Sequence, residues 1–231
     1  MLFNINKKRL SHDIILQIND EPVPWVKFTN FLGLIIDDQL HWNQHITSVS
    51  SKISMNIGIL NKVKSILPLN TLFMLYNTMI LPHYNYCNLI WGRATQSRLN
   101  KLTCLQKRAI RICSGAHYRA HCNPLFVQLR TLPLDKLALF KTGVFMHKLQ
   151  HGRLPKLFSD YFIKQNMIHS KYTRRRTDFR LPIFHTFSAQ NQSIRYHGVK
   201  TWNTLETQIR NLNFCSFKKT YKKILIQQML H

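Results

Sequence analysis

The sequence is poor in acidic residues. Nine Asp and Glu stand against 33 Lys and Arg in 231 residues, which gives a formal net charge of +24. Between Asp38 and Asp135 lie 96 consecutive residues without any Asp or Glu, and eleven of them are Lys or Arg. Two-metal phosphoryl-transfer sites need several converging carboxylates, so this span argues against such a centre. The charge predicts a polyanionic partner, with nucleic acid first and an anionic membrane surface second.

Glycine, proline and paired cysteine are also scarce. Seven Gly and eight Pro, without a repeat or a low-complexity tract, argue against a long flexible linker. The five cysteines are an odd number, and no apolar run resembling a signal peptide follows the basic residues near the N-terminus. We therefore expect no disulfide framework and a reducing compartment inside the cell, nuclear or cytoplasmic.

One group of potential metal ligands is present. Cys113, His117, His121 and Cys122 lie close together, but none of their spacings is the Cys-x2-4-Cys of a structural zinc site. On a continuous helix, the first three would share one face. Ordinary buried thiols beside histidines that face RNA are the favoured interpretation. The sequence thus predicts no metal site and no cofactor for this chain.

Hydrophobic spacing predicts an α+β fold that is predominantly α-helical. Residues 13–37 alternate apolar and polar positions with a break at 20–22, which indicates a short N-terminal β-hairpin followed by another strand. Beyond them the apolar period becomes three or four residues. The predicted helices are Asn43–Leu67, Asn70–Leu81, Ser97–Cys113, Leu134–Gln150, Phe158–Ile163 and Phe214–Leu230.

The segment from Ser65 to Gly92 has no formal charge. Its several Asn and two Pro would be costly in hydrocarbon, so a buried helix pair is expected there rather than a membrane span.

Three groups of cations are candidate contacts with nucleic acid. The helix Ser97–Cys113 has a buried apolar stripe, and its cations lack acidic partners one turn away. A run of three arginines between Tyr172 and Phe179 is typical of a single-strand contact, and a nuclear-import patch explains it equally well. The last helix places four lysines on one side. The three groups are Arg98, Lys101, Lys107, Arg108 and Arg111; Arg174, Arg175 and Arg176; and Lys218, Lys219, Lys222 and Lys223.

The stretch FTNFLGLIIDDQLHWNQHI, residues 28–46, resembles the segment of non-LTR (LINE-type) retrotransposon reverse transcriptases that follows the polymerase active site. Further stretches are similar to the thumb and post-thumb portion of such proteins and occur in the same order. They are LPLNTLFMLYNTMILPHYNYCNLIWG, LNKLTCLQKRAIRICSG, PLFVQLRTLPL, and GVKTWNTLETQIRN with FKKTYKKILIQQML. The resemblance covers nearly the whole chain.

The resemblance implies a polymerase whose palm carboxylates bind two metal ions and whose later elements hold primer and template. It divides the chain into an end-of-palm β segment (1–42), a thumb-like helical region (43–122) and a basic helical C-terminal region (123–231). Two sets of candidate contacts follow. Phe31, Leu32 and Gly33 would lie near the primer terminus, and Lys52, Lys62 and Lys64 would contact the phosphate backbone.

Asp37 and Asp38 are not assigned to the metal-binding pair of that family. In the family this pair occupies a hairpin turn after an aromatic-x dipeptide, whereas Ile35 and Ile36 precede the pair here. The surrounding Phe-Leu-Gly and Leu-x-Trp also place it downstream of that hairpin. We expect a capping role at the helix start before Trp42, or a surface turn.

The leading hypothesis is a reverse transcriptase fragment that lacks the catalytic palm carboxylates and retains non-specific binding to RNA, an RNA/DNA hybrid or a DNA backbone. The alternative is a host-adopted basic RNA- or chromatin-binding protein without enzymatic activity. Membrane-surface binding through the basic last helix is a third, less favoured hypothesis. No small-molecule substrate is expected. The full-length family would use Mg²⁺, and the missing palm is a further partner that the resemblance implies.

Overall fold

The computed structural model describes Phe3 and residues 16–167, 178–184 and 193–230. Helices dominate these residues, and two short antiparallel hairpins precede them. The predicted α+β, predominantly α-helical class is therefore confirmed. No helix of the described ranges has both the length and the apolar character needed to cross a membrane.

The N-terminal β part consists of two hairpins. Strand β1 (Gln17–Ile18) pairs with β2 (Glu21–Pro22), and β3 (Phe28–Phe31) pairs with β4 (Leu34–Asp37). Both residues of each connecting turn have positive φ, which matches the twist of the flanking strands. One strand is not evident from the sequence, because the second turn is Leu32-Gly33 and a leucine is rarely found in the left-handed region.

The described helices follow in chain order. They are α1 Asn43–Val63, α2 Leu69–Leu75, α3 Leu81–Asn85, α4 Asn88–Trp91, α5 Gln96–Cys113, α6 Cys122–Gln128, α7 Leu134–Gln150, α8 Lys156–Asp160, α9 Ile194–Asn203, α10 Thr207–Arg210 and α11 Phe214–Gln227. A π-helical turn, Tyr76–Ile80, joins α2 to α3, and a short 3-10 helix, Gln165–Met167, follows α8.

The strongly periodic helices agree best with their predicted bounds. The bounds of α7 are as predicted, and α5 begins one residue early. Helix α1 ends at Val63 rather than Leu67. Pro68 disfavours the helical region for Leu67, the residue that precedes it. Helix α8 begins directly after Pro155, so it starts two residues earlier than predicted, and it ends at Asp160, three residues earlier than predicted. Helix α11 ends at Gln227 rather than Leu230.

Pro82 does not end the second helical segment. The expected end at Leu81 is wrong, because the helix passes through the π turn and continues to Asn85. Pro82 occupies the first turn of α3, where a missing N–H is tolerated. The Met79 carbonyl in the π turn accepts a hydrogen bond from Asn56 Nδ2 at 2.7 Å, so α1 supports the irregular turn.

One contiguous apolar core joins the described helices. Helices α1 and α5 pack along each other. Ile53 and Ile57 of α1 and Leu102 of α5 are fully buried. Helix α7 packs against α4, α5, α9 and α11, so it connects the N-terminal and C-terminal halves of the core. The predicted boundary between residues 122 and 123 stays a prediction.

Two contacts fix the position of α7. Buried Gln106 donates from Nε2 to the Leu132 carbonyl at 3.0 Å, and its Oε1 accepts from the Leu134 backbone N–H at 2.9 Å. On the other side, Gly143 lets the Tyr221 ring approach closely, since a Cβ at that glycine would lie 2.3 Å from the ring. Helix α11, with its lysines, therefore lies directly against α7.

A buried ion pair ties residues 178–184 to the C-terminal helices. Arg210 Nη1 lies 2.6 Å from Asp178 Oδ1, and Nε and Nη2 donate to the carbonyls of Leu205 and Asn203. The Asn203 side chain in turn bonds the backbone of Phe179 through both its oxygen and its nitrogen. Every guanidinium nitrogen of Arg210 is thus paired, as a buried charge requires.

Candidate nucleic-acid interface

The first basic surface is a cleft between the ends of α1 and α5, which we call the α5 cleft. Its volume is about 630 Å³. The residues that line it are Asn61, Lys64, Ser65, Leu69, Arg108, Arg111, Ile112, Gly115, Ala116 and Tyr118. Three of the cations predicted from sequence are therefore brought together, one from the residue after α1 and two from α5. No carboxylate is among the described residues that line the cleft.

The cleft combines free cations with an exposed aromatic ring. Lys64 and Arg108 are exposed, and Tyr118 is 66% exposed. The Arg119 guanidinium lies 5.1 Å from the centroid of the Tyr118 ring, so it adds a fourth positive charge at the edge. Cations that pair with phosphates and a ring on which a base can stack are the two components of single-strand binding sites.

Arg111 also has a structural task in the cleft. Its Nε donates to the Ala120 carbonyl at 2.9 Å, which fixes the loop that presents Tyr118. The loop begins where α5 ends, and Gly115 adopts a φ of +62° that most side chains avoid. Only the remaining guanidinium nitrogens of Arg111 are left for a ligand.

The other predicted cations of α5 lie outside the cleft. Arg98 is half-buried, and Lys101 and Lys107 are exposed, on the side away from the buried Leu99 and Leu102. Arg98 and Lys101 add positive charge along α5, whereas Lys107 lines a different pocket together with Asp135 and Lys136.

A second basic surface surrounds Phe214 at the start of α11, and we call it the Phe214 cluster. Lys148 Nζ, Arg153 Cζ and Lys218 Nζ lie 5.6, 5.4 and 5.2 Å from the centroid of the Phe214 ring. Burial, followed by the charges of Lys218 and Lys148, lowers the pKa of the neighbouring Lys141. Four cations therefore repel one another at the junction of α7 and α11.

The sequence analysis identified only Lys218 among these four cations. Lys141 and Lys148 are seven residues apart on α7, and that spacing on one helix face is a signal that could have indicated them. Arg153 lies beyond the end of α7, and no local pattern links it to α11.

The remaining predicted lysines do not gather into one surface. Lys219 and Lys223 are exposed on α11, whereas Lys222 is half-buried and desolvation lowers its pKa. Lys52 and Lys62 are exposed at different positions of α1. Arg174, Arg175 and Arg176 lie outside the described residues, and their role stays a prediction.

Phe31, Leu32 and Gly33 meet at the tip of the second hairpin. Leu32 has a φ of 48° and is 75% exposed, a conformation that costs a leucine about 1–2 kcal/mol. The Tyr86 hydroxyl donates a hydrogen bond to the Leu32 carbonyl, and the Tyr86 ring lies beside Gly33. Phe31 is 61% exposed, so the tip has an exposed apolar surface, and Tyr86 contacts its backbone.

Asp37 holds the turn that leads into α1. Its Oδ1 accepts hydrogen bonds from the backbone N–H groups of Gln39 and His41 at 3.1 and 2.8 Å, and Oδ2 accepts from Trp42 at 2.7 Å. The carboxylate therefore fixes a turn ahead of the helix. Of the two roles expected from sequence, the turn agrees with the structure and the helix cap does not, because the N-cap is Trp42 and no side chain caps the helix.

The Cys and His group at 113–122 does not converge. Helix α5 ends at Cys113, so Cys113, His117 and His121 do not share a helical face. The Cys113 thiol is buried and donates to the Leu72 carbonyl, while both histidines are exposed. Across the described part of the chain, no three His, Cys, Asp or Glu side chains are grouped as metal ligands.

The turn role of Asp37 gives a direct test. Asp37→Ala leaves three backbone N–H groups without their charged acceptor, so we expect the free energy of unfolding to fall by about 2 kcal/mol or more. Asp38→Ala is the matched control and should change it by less than about 0.5 kcal/mol. Urea denaturation measures both variants. Equal losses in the two variants would contradict the assigned role.

Comparison with known proteins gives partial matches. The chain is 26% identical over 144 residues to a probable RNA-directed DNA polymerase from transposon X-element of Drosophila melanogaster, covering 60% of this chain and 15% of that protein. It is 28% identical over 108 residues to the RNA-directed DNA polymerase from mobile element jockey of Drosophila funebris, covering 46% and 11%. No family model and no solved structure matches the chain. The chain is therefore similar, over about half of its length, to RNA-directed DNA polymerases of non-LTR retrotransposons, and it matches only 11–15% of the length of those proteins.

Proposed function

We propose that this chain is a nucleic-acid-binding portion of a retrotransposon reverse transcriptase, which holds the phosphate backbone without sequence specificity. The observation that carries the proposal is the α5 cleft, where Lys64, Arg108 and Arg111 converge beside the exposed ring of Tyr118. Phosphate contacts fix a strand in place, and a stacked ring accepts any base, so neither reads sequence.

The charge distribution supports the same proposal. Asp37 and Asp178 are occupied by backbone N–H groups and by Arg210, so neither neutralises the basic surfaces. A surface whose cations repel one another is stabilised by a polyanion that displaces small counterions. The Phe214 cluster, with four such cations, is the second surface where a bound phosphate backbone would relieve repulsion between cations.

We also propose that the chain alone does not polymerise and needs no cofactor of its own. Both oxygens of Asp37 accept hydrogen bonds from the backbone, which leaves them poorly disposed to hold Mg²⁺. The palm of a full-length polymerase would supply the metal-binding carboxylates, and it is the proposed protein partner. The relatives extend far beyond the segments that this chain matches.

Binding to a fluorescent single-stranded RNA, measured across a salt series, tests the proposed surface. We expect log Kd to rise linearly with log salt, and the double variant Lys64→Ala, Arg108→Ala to reduce the magnitude of that slope by about 1.4. Tyr118→Ala should weaken binding roughly tenfold and leave the slope unchanged, because stacking releases no counterion.

The control is Lys156→Ala, which removes an exposed cation on α8 that belongs to neither basic surface. Its affinity and salt slope should remain close to those of the wild type. Salt-independent binding, or an equal loss in the control and in the α5-cleft variants, would refute the assignment of this surface.

Primer extension tests the second part of the proposal. With an RNA template, a DNA primer, nucleotides and Mg²⁺, the isolated chain should give no extended product. Mg²⁺-dependent incorporation that disappears in the Asp37→Asn, Asp38→Asn variant would show that the pair is catalytic after all.

A further inference from the structure

A separate cavity lies where α7 meets the C-terminal helices. It has a volume of about 630 Å³ and is walled by residues of α7, α9, α10 and α11. Arg93, from the segment between α4 and α5, also lines it. The volume is within the range of pockets that hold small organic ligands.

Arg93 is a half-buried cation, and two of its three guanidinium nitrogens have no partner. Its Nε and Nη2 have almost no contact with solvent, and neither makes a hydrogen bond. Burial lowers the pKa of this guanidinium, and the nearby Tyr221 and Asp135 act in the opposite direction. An unpaired buried charge is costly, so its presence calls for an explanation beyond stability.

The contrast with Arg210 shows that this fold can pair a buried guanidinium. The three nitrogens of Arg210 bond to Asp178 and to two carbonyls, and that side chain is part of the structure. Arg93 has no such set of acceptors, although it lies against a cavity with room for one.

We infer that this cavity is a binding site for a small organic anion whose carboxylate or phosphate group is received by Arg93. Nε and Nη2 form one edge of the guanidinium, the edge that binds two oxygens of such a group in parallel. This edge is enclosed in the unliganded structure, so binding requires the end of the side chain to rotate towards the cavity when the ligand enters. The ligand then supplies the missing acceptors.

The walls define the rest of the ligand. Leu205, Ile224 and Leu225 form an apolar side that fits a hydrocarbon or ring body. Lys200 adds a second positive charge, while Glu206 adds a negative one. With a carboxylate on its wall, the cavity suits a single anionic group on an apolar body and disfavours a strand of nucleic acid, unlike the α5 cleft.

The test is a thermal-shift and calorimetric titration of the full chain at constant ionic strength. The probes are octanoate, for a carboxylate on an apolar body, octyl phosphate, for a phosphate on the same body, and inorganic phosphate alone. We expect at least one octyl probe to raise Tm with saturable 1:1 binding, and inorganic phosphate to bind at least tenfold more weakly. The octyl probe that binds more tightly identifies the anionic group.

Three variants assign any binding to Arg93. Arg93→Met should abolish the probe-induced shift and raise the Tm of the unliganded protein, because it removes an unpaired buried charge. Arg93→Lys keeps the charge but loses the two-pronged geometry, so affinity should fall about tenfold. Arg98→Met, a half-buried arginine outside the cavity, is the matched control and should bind like the wild type.

Specific outcomes would overturn the inference. Absence of a shift with all three probes, or a shift that persists in Arg93→Met, would mean that Arg93 receives no ligand. Binding of single-stranded RNA should be unchanged in Arg93→Met. Loss of RNA binding in that variant would assign the cavity to the nucleic-acid surface instead, whereas failure of the α5-cleft variants leaves the present test unaffected.

Discussion

An uncompensated excess of positive charge is the constraint on which this structure depends. The carboxylates of Asp37 and Asp178 serve the fold, one by fixing a turn and the other by pairing with Arg210. Among the described residues, no salt bridge pairs a cation of the α5 cleft or of the Phe214 cluster with a carboxylate. A bound polyanion relieves the repulsion between these cations. The same charge excess that destabilises the free protein therefore favours the proposed complex.

Apolar packing holds these cations in place against their repulsion. The α1–α5 contact brings Lys64 to Arg108, and the close approach of Tyr221 to Gly143 brings Lys218 to the cations of α7. Each basic surface thus depends on a buried helix contact beneath it. At the exposed hairpin tip the unfavourable backbone conformation of Leu32 is stabilised by a hydrogen bond from the Tyr86 hydroxyl rather than by apolar packing.

Sequence periodicity was sufficient for α5 and α7, because each buries a regular apolar stripe. It failed at Pro82, where a π turn absorbs the proline, and at Leu32, where a tertiary contact supports an unfavourable conformation. It indicated Lys64 and the cations of α5 separately but not their meeting in one cleft, since proximity between the ends of two helices leaves no local pattern. Arg93 carried no signal at all, because its lack of a partner is a property of the folded core.

The most direct test of the central claim is photo-crosslinking to single-stranded RNA that contains 4-thiouridine, with the linked peptides mapped by mass spectrometry. The account predicts crosslinks in the peptide that contains Tyr118, because its ring is the exposed aromatic surface beside the phosphate-binding cations of the α5 cleft. They should disappear in the Lys64→Ala, Arg108→Ala variant. Crosslinks found only at the N-terminal hairpins, or unchanged in that variant, would contradict it.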